Sequence, residues 1–274
     1  MNRKRYVAFI DILGFKKIVI NHQIDNSSLG EKLSEIYQSS ILSSLTGENT
    51  TVEKNPRMEH FLDSVGIGVY QFSDSIVLYT KGDSDDDLIR IVVCLNRLFA
   101  QSMIRGFPLR GGLALKELYI NGPIVVGNGL IDAADLEKAQ LWSGLIIDKE
   151  CLKGNLMEEK LLERGLIVRE EVLIKCEDQA QSVKPSRYSH LVINWPRYLR
   201  QRGLISAKKI MKQYILYVGF PTKQIHRTMM KETVKFALRN LGSECLPSFI
   251  YDETGKVQNI KVNITSTDTQ GNLG

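Results

Sequence analysis

The sequence has few of the residues that stabilise small domains through disulfides or bind soft metals. Its four cysteines and four histidines are scattered singly over 274 residues, with no Cys-x-x-Cys pair and no Cys/His cluster. Zinc sites need such clusters, so a His/Cys metal centre is not predicted, and neither is a disulfide framework. We expect reduced, buried thiols.

Long apolar stretches are also absent. The most apolar runs are interrupted by Arg or Asn well before the ~18 apolar residues that a membrane-spanning helix needs. The N-terminal segment is basic and then apolar, but Asp11 interrupts it and no small-residue cleavage site follows. A secretory signal is therefore not predicted, and we expect a cytoplasmic protein without a membrane partner.

The overall composition is that of a folded protein. Hydrophobic residues make up 43% of the chain and charged residues 24%, which excludes disorder for the bulk of it. The length allows one large domain, or one domain with an extension.

Apolar periodicity predicts alternating strands and helices in the first two thirds of the chain. Strands are predicted at residues 5–13, 65–72, 73–80, 108–120 and 144–148, with a last strand near His190. Helices are predicted from Lys16, at 29–44, at 88–102 and at 131–142. This alternation predicts an α+β fold in which helices pack on a mixed sheet.

The chain becomes strongly basic beyond Pro196. Residues 197–240 contain eleven Lys or Arg and one acid, Glu232, although the whole chain has a net charge of only +5. We predict a catalytic-type domain at 1–196, a basic helical extension at 197–262 and a flexible tail at 263–274. The basic extension either attracts nucleic acid or a polyphosphate, or is a solvated helical face.

Two aspartates, Asp11 and Asp74, carry the strongest functional signal. Each lies where a predicted strand meets a turn, so both face the same sheet edge if the first strand neighbours the hairpin. Paired carboxylates bind Mg²⁺ or Mn²⁺ together with substrate phosphates, and Gly14 lets backbone N–H groups approach an anion. Alternatively, Asp11 caps a helix and Asp74 serves the turn.

The segment FIDILGF resembles the first metal motif of the class III nucleotidyl cyclase domain. In that family a Phe precedes a metal-binding Asp, a residue that contributes its carbonyl, and a Gly-Phe pair whose backbone holds the triphosphate. The matching positions are Phe9, Asp11, Ile12, Gly14 and Phe15. Further on, FSDS resembles the second metal motif, and the LRGG strand, glycine loop and I-D-A-A-D-L-E helix complete a resemblance over roughly residues 5–196.

This resemblance implies a cyclase-like fold with a ferredoxin-like core and a homodimer with sites at the interface. It also implies two divalent cations, Mn²⁺ or Mg²⁺, held by Asp11, Asp74 and the Ile12 carbonyl. The triphosphate would lie on the backbone from Gly14 and Phe15 to Lys16.

The combination of LRGG, the glycine loop, the I-D-A-A-D-L-E helix and a late I-N-W-P more narrowly resembles the bacterial anti-phage pyrimidine cyclases of the Pycsar systems. That resemblance implies conversion of UTP or CTP, with UTP favoured, to the 3′,5′-cyclic mononucleotide and pyrophosphate. The product would activate a separate effector. Tyr70 stands where purine cyclases commonly have a base-reading Lys, so it either narrows the base pocket or is a packed sheet tyrosine.

Other positions depart from the family. Ile131 and Asp135 stand where class III enzymes have a catalytic Asn and a transition-state Arg, and Gly144 lies where pyrimidine cyclases often have a Pro-Arg pair. Arg110 is the leading candidate for the missing cation, unless it is a sheet-edge salt-bridge partner, and Lys16 and Lys138 are weaker candidates. A nucleotide-binding pseudo-cyclase, and a nucleic-acid-binding protein using the basic C-terminal helices, stay as alternatives.

Overall fold

The computed structural model describes residues 2–16, 27–28, 30–31, 33–35, 66–122, 124–152, 154–176, 184–201, 224–241, 247–251 and 257–262. The strands are β1 (Asn2–Ile12), β2 (Ile67–Phe72), β3 (Ser75–Thr80), β4 (Leu109–Asn121), β5 (Ile124–Val126), β6 (Leu145–Ile147), β7 (Ile167–Cys176), β8 (Lys184–Ile193), β9 (Pro247–Tyr251) and β10 (Val257–Val262). The α-helices are α1 (Asp85–Ile104), α2 (Asn128–Ala139), α3 (Asn155–Glu163), α4 (Trp195–Gln201) and α5 (Gln224–Leu241), and a 3₁₀ helix covers Lys149–Leu152.

The main sheet has the strand order β2-β3-β1-β4-β6-β8-β7, and β5 pairs with β4. All neighbouring strands are antiparallel except β4 and β6, which are parallel. The predicted fold class, a mixed sheet with helices packed on it, is therefore confirmed.

The first four strands have the topology of a ferredoxin-like core. Their order is β2-β3-β1-β4, with α1 connecting β3 to β4 and helical residues between β1 and β2. In this arrangement β1 is central and has hydrogen-bonded neighbours on both edges. The ends of β1, β3 and β4 therefore meet at one place, which positions the candidate site described below.

The helix that connects β3 to β4, α1, begins at a capping box. The Ser84 hydroxyl accepts a hydrogen bond from the Asp87 N–H and the Asp87 carboxylate accepts one from the Ser84 N–H, both at 3.2 Å. The helix then buries its apolar face against the main sheet, where Tyr6, Ala8 and Ile10 of β1 are fully buried.

The opposite face of the sheet is covered by α2. Gly112 of β4 permits this close approach, since a Cβ there would lie 2.4 Å from the Ala133 carbonyl oxygen and 2.5 Å from the Leu136 Cβ. The residues of β1 that alternate onto this side include Val7 and Asp11, so the sheet face that bears Asp11 lies under α2.

The C-terminal helix α5 belongs to the main core rather than to a separate surface. Phe236 packs edge to face on Trp142, with ring centroids 4.6 Å apart, and the Thr233 hydroxyl accepts a hydrogen bond from the Ser143 N–H at 2.8 Å. The predicted helical extension over 197–262 thus contains a helix that shares the sheet's core.

Several elements were not predicted from the sequence. These are α3, β7, the short strand β5 in the glycine loop, and the β9–β10 hairpin inside the predicted helical extension. The predicted helix at 206–218, the end of the predicted helix at 29–44 and the tail at 263–274 lie outside the described residues. No described helix is both long and apolar enough to cross a bilayer.

We expect Phe236→Ala to lower the free energy of unfolding by about 3–5 kcal/mol, because it empties a fully enclosed position between Trp142 and Trp195. Urea denaturation followed by tryptophan fluorescence measures the change. Lys231→Ala, an exposed position on the same helix, is the control and should change the value by less than about 0.5 kcal/mol. Equal, small effects of both variants would show that α5 does not share the core.

Candidate active site

Asp11 lies at the end of the central strand, between two neighbouring strands. Its Cα partner on β3 is Ser75 and its partner on β4 is Arg110. Directly opposed residues of antiparallel strands point to the same face, so these three side chains share the face covered by α2. The carboxylate of Asp11 is half-buried there.

Asp74 is brought to the same place by the hairpin turn between β2 and β3. The Ile12 N–H donates to the Asp74 carbonyl oxygen at 3.0 Å, which joins the turn to the end of β1. Ser73, directly before Asp74, has a φ of 55°, a conformation that is uncommon for a residue other than glycine. The two predicted metal ligands are therefore neighbours, as the sequence pattern required.

The electrostatics of Asp11 are those of a crowded acidic site. Burial, together with the nearby Glu137 and Asp74 carboxylates, raises the pKa of Asp11 to about 6, while Arg110 and the Ile12 N–H act in the opposite direction. Negative charge is thus concentrated at this end of the sheet, and a cation would stabilise it.

Arg110 lies next to Asp11 but is ion-paired with Glu137 of α2. Its Nε and Nη2 both contact the Glu137 carboxylate, and its Nη1 donates to the Gln140 carbonyl oxygen at 3.3 Å. The two side chains are only 13% and 4% exposed. Arg110 is thus a salt-bridge partner, as one of its two interpretations expected, and it lies next to Asp11.

A further cation, Lys175 of β7, lies beside the Arg110–Glu137 pair and was missed by the sequence analysis. Its Nζ donates to the carbonyl oxygen of Lys138 at 2.7 Å, near the end of α2. Burial and the charge of Arg110 lower the pKa of Lys175, and Glu137 opposes them. No sequence signal pointed to it, because β7 itself was not predicted. The bridge between Gln140, at the end of α2, and Ile174 of β7 brings Lys175 close to Glu137.

The turn after β1 has the features expected of an anion-binding backbone. Gly14 is exposed and has a φ of 74°, in the left-handed region that favours glycine. Phe15 packs against the main core and anchors the turn, whereas Lys16 is exposed. The backbone from Gly14 to Lys16 is therefore held in place and accessible.

Tyr70 lies on the same sheet face as Asp11. Its Cα partner is Val77, which in turn is opposite Phe9, two residues before Asp11. Its ring stacks on Tyr79 with centroids 5.8 Å apart, and its hydroxyl donates to the Gly122 carbonyl oxygen. Tyr70 is thus packed in the sheet, as one of the two interpretations expected, on the face that holds the two aspartates.

The residues that depart from the cyclase pattern do not supply the catalytic amide or the cation that the pattern has at those positions. On α2, Ile131 is 57% exposed, and Asp135 and Lys138 are exposed as well. At Gly144 a Cβ would lie 2.3 Å from the Trp142 ring, so an arginine does not fit there without a shift. Arg110 lies beside Asp11, and Lys175 lies beside the Arg110–Glu137 pair.

The donor set fits a hard divalent cation. Asp11, Asp74 and the Ile12 carbonyl offer oxygen ligands, and Mg²⁺ is typically held by one or two carboxylates plus substrate phosphates. The described part of the chain has no group of three or more His, Cys, Asp or Glu side chains arranged for a metal. Oxygens from a bound phosphate would therefore have to complete the coordination.

No protein-family model matches the sequence, and no curated protein matches it significantly. Among solved structures, the chain is similar to the catalytic core of a rhodopsin-guanylyl cyclase with converted specificity in complex with ATPαS. The identity is 15%, the TM-score is 0.45, and the match covers 70% of this chain and 97% of that one. It is also similar to an adenylate/guanylate cyclase/hydrolase from Silicibacter pomeroyi, with 10% identity, a TM-score of 0.40, and coverage of 70% and 98%.

We expect Glu137→Ala to destabilise the protein by about 3 kcal/mol, because the largely buried Arg110 would lose the carboxylate that both its Nε and Nη2 contact. Urea denaturation measures this. The double variant Arg110→Met with Glu137→Leu should fall within about 1 kcal/mol of the wild type, since neither charge is then left alone. A stability unchanged by Glu137→Ala would contradict the buried ion pair.

Proposed function

We propose that this protein is a nucleotidyl cyclase that converts a nucleoside triphosphate to its 3′,5′-cyclic mononucleotide and pyrophosphate. The main support is the juxtaposition of Asp11 and Asp74, joined by the 3.0 Å hydrogen bond from the Ile12 N–H to the Asp74 carbonyl. These acids occupy the two metal positions of the cyclase motif, and an exposed glycine turn follows the first of them.

In this proposal Asp11, Asp74 and the Ile12 carbonyl hold divalent cations, Mn²⁺ or Mg²⁺. When bound, the cations supply charge neutralisation at the phosphates and a lower pKa for the attacking hydroxyl. The backbone from Gly14 to Lys16 holds the triphosphate. The ribose 3′-oxygen forms a bond to the α-phosphorus, the bond from that phosphorus to the β-phosphate oxygen breaks, and the hydroxyl proton leaves to solvent.

The positive charge that this reaction needs comes from Arg110 and Lys175. Charge develops on the phosphate oxygens, and its stabilisation is usually the largest catalytic contribution. Arg110 is oriented by Glu137, and Lys175 by the Lys138 carbonyl, so neither has to be ordered when substrate binds. In class III enzymes a catalytic Asn and a transition-state Arg stand at the positions of Ile131 and Asp135. In this proposal Arg110 and Lys175 take over their roles.

A pyrimidine nucleotide, UTP or CTP with UTP favoured, is the substrate that we propose. One support is the replacement by Tyr70 of the Lys with which purine cyclases commonly contact the base, at a position on the sheet face shared with Asp11. The resemblance of the LRGG and I-N-W-P segments to anti-phage pyrimidine cyclases is the second support. In that setting the cyclic nucleotide acts as a second messenger for a separate effector in anti-phage defence.

A homodimer is part of the proposal. Large apolar side chains are exposed near the candidate site: Phe72 at the β2–β3 turn is 84% exposed, and Ile124, Val126 and Ile131 are 55–57% exposed. A second copy of the chain would cover these side chains and complete the base pocket.

Activity is tested by incubating the purified protein with each of the four nucleoside triphosphates and Mn²⁺, followed by mass spectrometry of the products. We expect the cyclic mononucleotide of a pyrimidine. Asp11→Asn and Asp74→Asn should each lower the rate by about 100-fold or more, since even loss of groups that only support metal ligands costs 10–100-fold.

The matched control is Asp86→Asn, an exposed acid in the first turn of α1 that should leave the rate unchanged. A cyclic purine as the main product would contradict the pyrimidine assignment alone. An inert wild type that still binds nucleotide would contradict catalysis and favour the pseudo-cyclase.

Lys175→Gln should lower kcat by roughly 100-fold with little change in KM, because its charge acts on the developing phosphate charge. Lys160→Gln, the same change at an exposed position on α3, is the control. A larger effect on KM than on kcat would instead assign Lys175 to substrate binding alone.

The nucleic-acid alternative has less support in the described residues. On α5, Lys235 pairs with Glu232 and Arg239 pairs with Glu170, so these basic side chains are used within the protein. The lysines at 208, 209 and 212 lie outside the described residues.

A further inference from the structure

A cavity of about 350 Å³ lies at a different place in the fold from the candidate active site. It is formed where the short strand β6 ends, between the 3₁₀ helix, α3 and the β7–β8 pair. The first residue of β6 pairs with Gly111, beside Arg110, and its last residue, Ile147, pairs with Leu113. The cavity begins at Ile147, and none of its lining residues belongs to the aspartate site.

The floor of the cavity is apolar and rigid. Ile147, Leu152 and Leu191 line it and are each no more than 5% exposed. They belong to the main core, so their positions are fixed by the packing of the sheet. An apolar floor of this kind accepts a hydrocarbon or ring portion of a ligand.

The walls are positively charged. Among the described lining residues, Glu158 is the sole carboxylate, and it is paired with Arg169 across one wall. Lys149 and His190 have no ion-pair partner among the described residues. Burial lowers the pKa of His190, and the charge of the nearby Lys149 lowers it further. An anion between them would relieve this repulsion.

Backbone N–H groups and one hydroxyl group add hydrogen-bond donors to the walls. Gly154 precedes α3 with a φ of 111°. Among the residues that the structure describes, no side chain caps the helix there and no atom lies within 4 Å of the position of a Cβ. The α3 backbone N–H groups are thus open to approach from the cavity. Ser189 adds a hydroxyl at the wall formed by β8.

We propose that this cavity is a second ligand site, which binds a small phosphate monoester whose phosphate lies between Lys149 and His190 and whose apolar portion lies on Ile147, Leu152 and Leu191. A doubly charged phosphate accepts hydrogen bonds from both the Lys149 ammonium and the His190 ring, and its charge favours the imidazolium form of His190. The site does not depend on the proposed cyclase activity and shares no residue with it.

The proposal is tested on the full chain with three probes: phenyl phosphate, inorganic phosphate and phenol. Binding is followed by calorimetry and by NMR of the histidine imidazole protons, with His190 assigned through His190→Gln. We expect saturable binding of phenyl phosphate and a rise in the pKa of His190 of about one unit, because a nearby anion favours the imidazolium. Phenol and inorganic phosphate should each bind at least about tenfold more weakly, since phenol lacks the phosphate and inorganic phosphate lacks the ring.

The variant Lys149→Gln should weaken phenyl phosphate about tenfold, whereas Lys160→Gln, an exposed lysine on α3 outside the cavity, should not. Glu158→Gln should tighten it, because Arg169 is then released towards the phosphate. The proposal would be overturned if phenyl phosphate did not bind saturably, or if it bound only as tightly as phenol or as inorganic phosphate. Equal effects of the two lysine variants would overturn it as well.

Discussion

The antiparallel pairing of β1 with β3 on one edge and with β4 on the other is the interaction on which the candidate site depends. It places Asp11 opposite Ser75 and Arg110, and the hydrogen bond from the Ile12 N–H to the Asp74 carbonyl extends the β3 side of this pairing by one residue. A register shift of one residue would turn Asp11 to the opposite face of the sheet, into the apolar core with Ile10 and Ile12. The buried neighbours of Asp11 therefore fix the register, and the register fixes the geometry of the site.

Charge at this end of the sheet is balanced through helix α2. The carboxylates of Asp74 and Glu137 and the guanidinium of Arg110 lie close to Asp11, and Lys175 lies close to the Arg110–Glu137 pair. Glu137 neutralises Arg110, which leaves the two aspartates with a local excess of negative charge and a raised pKa at Asp11. A bound cation would stabilise this excess of negative charge. Because Gly112 allows α2 to lie directly on β4, this balance depends on a position with no side chain.

Local sequence patterns predicted the parts of the fold in which neighbouring residues decide the structure. The hairpin around Ser73 and Asp74, strand β1 and the helix that became α1 were found from apolar periodicity and turn residues, and the motif at Asp11 to Phe15 located the site. Lys175 and the role of Glu137 could not be found in this way. Glu137 reaches Asp11 through the packing of α2 on the sheet, and Lys175 reaches Glu137 through the bridge between Gln140 and Ile174. Nor could the basic composition of residues 197–240 reveal that Phe236 and Thr233 are buried against Trp142 and Ser143.

The central claim is that Asp11 and Asp74 jointly bind divalent cations beside a nucleotide. The most direct measurement is a crystal structure of the protein grown with Mn²⁺ and a non-cyclisable nucleoside triphosphate analogue, with anomalous scattering used to locate manganese. The account predicts anomalous density in contact with both the Asp11 and the Asp74 carboxylates and with phosphate oxygens of the analogue. Nucleotide bound elsewhere, or manganese in contact with neither aspartate, would contradict it.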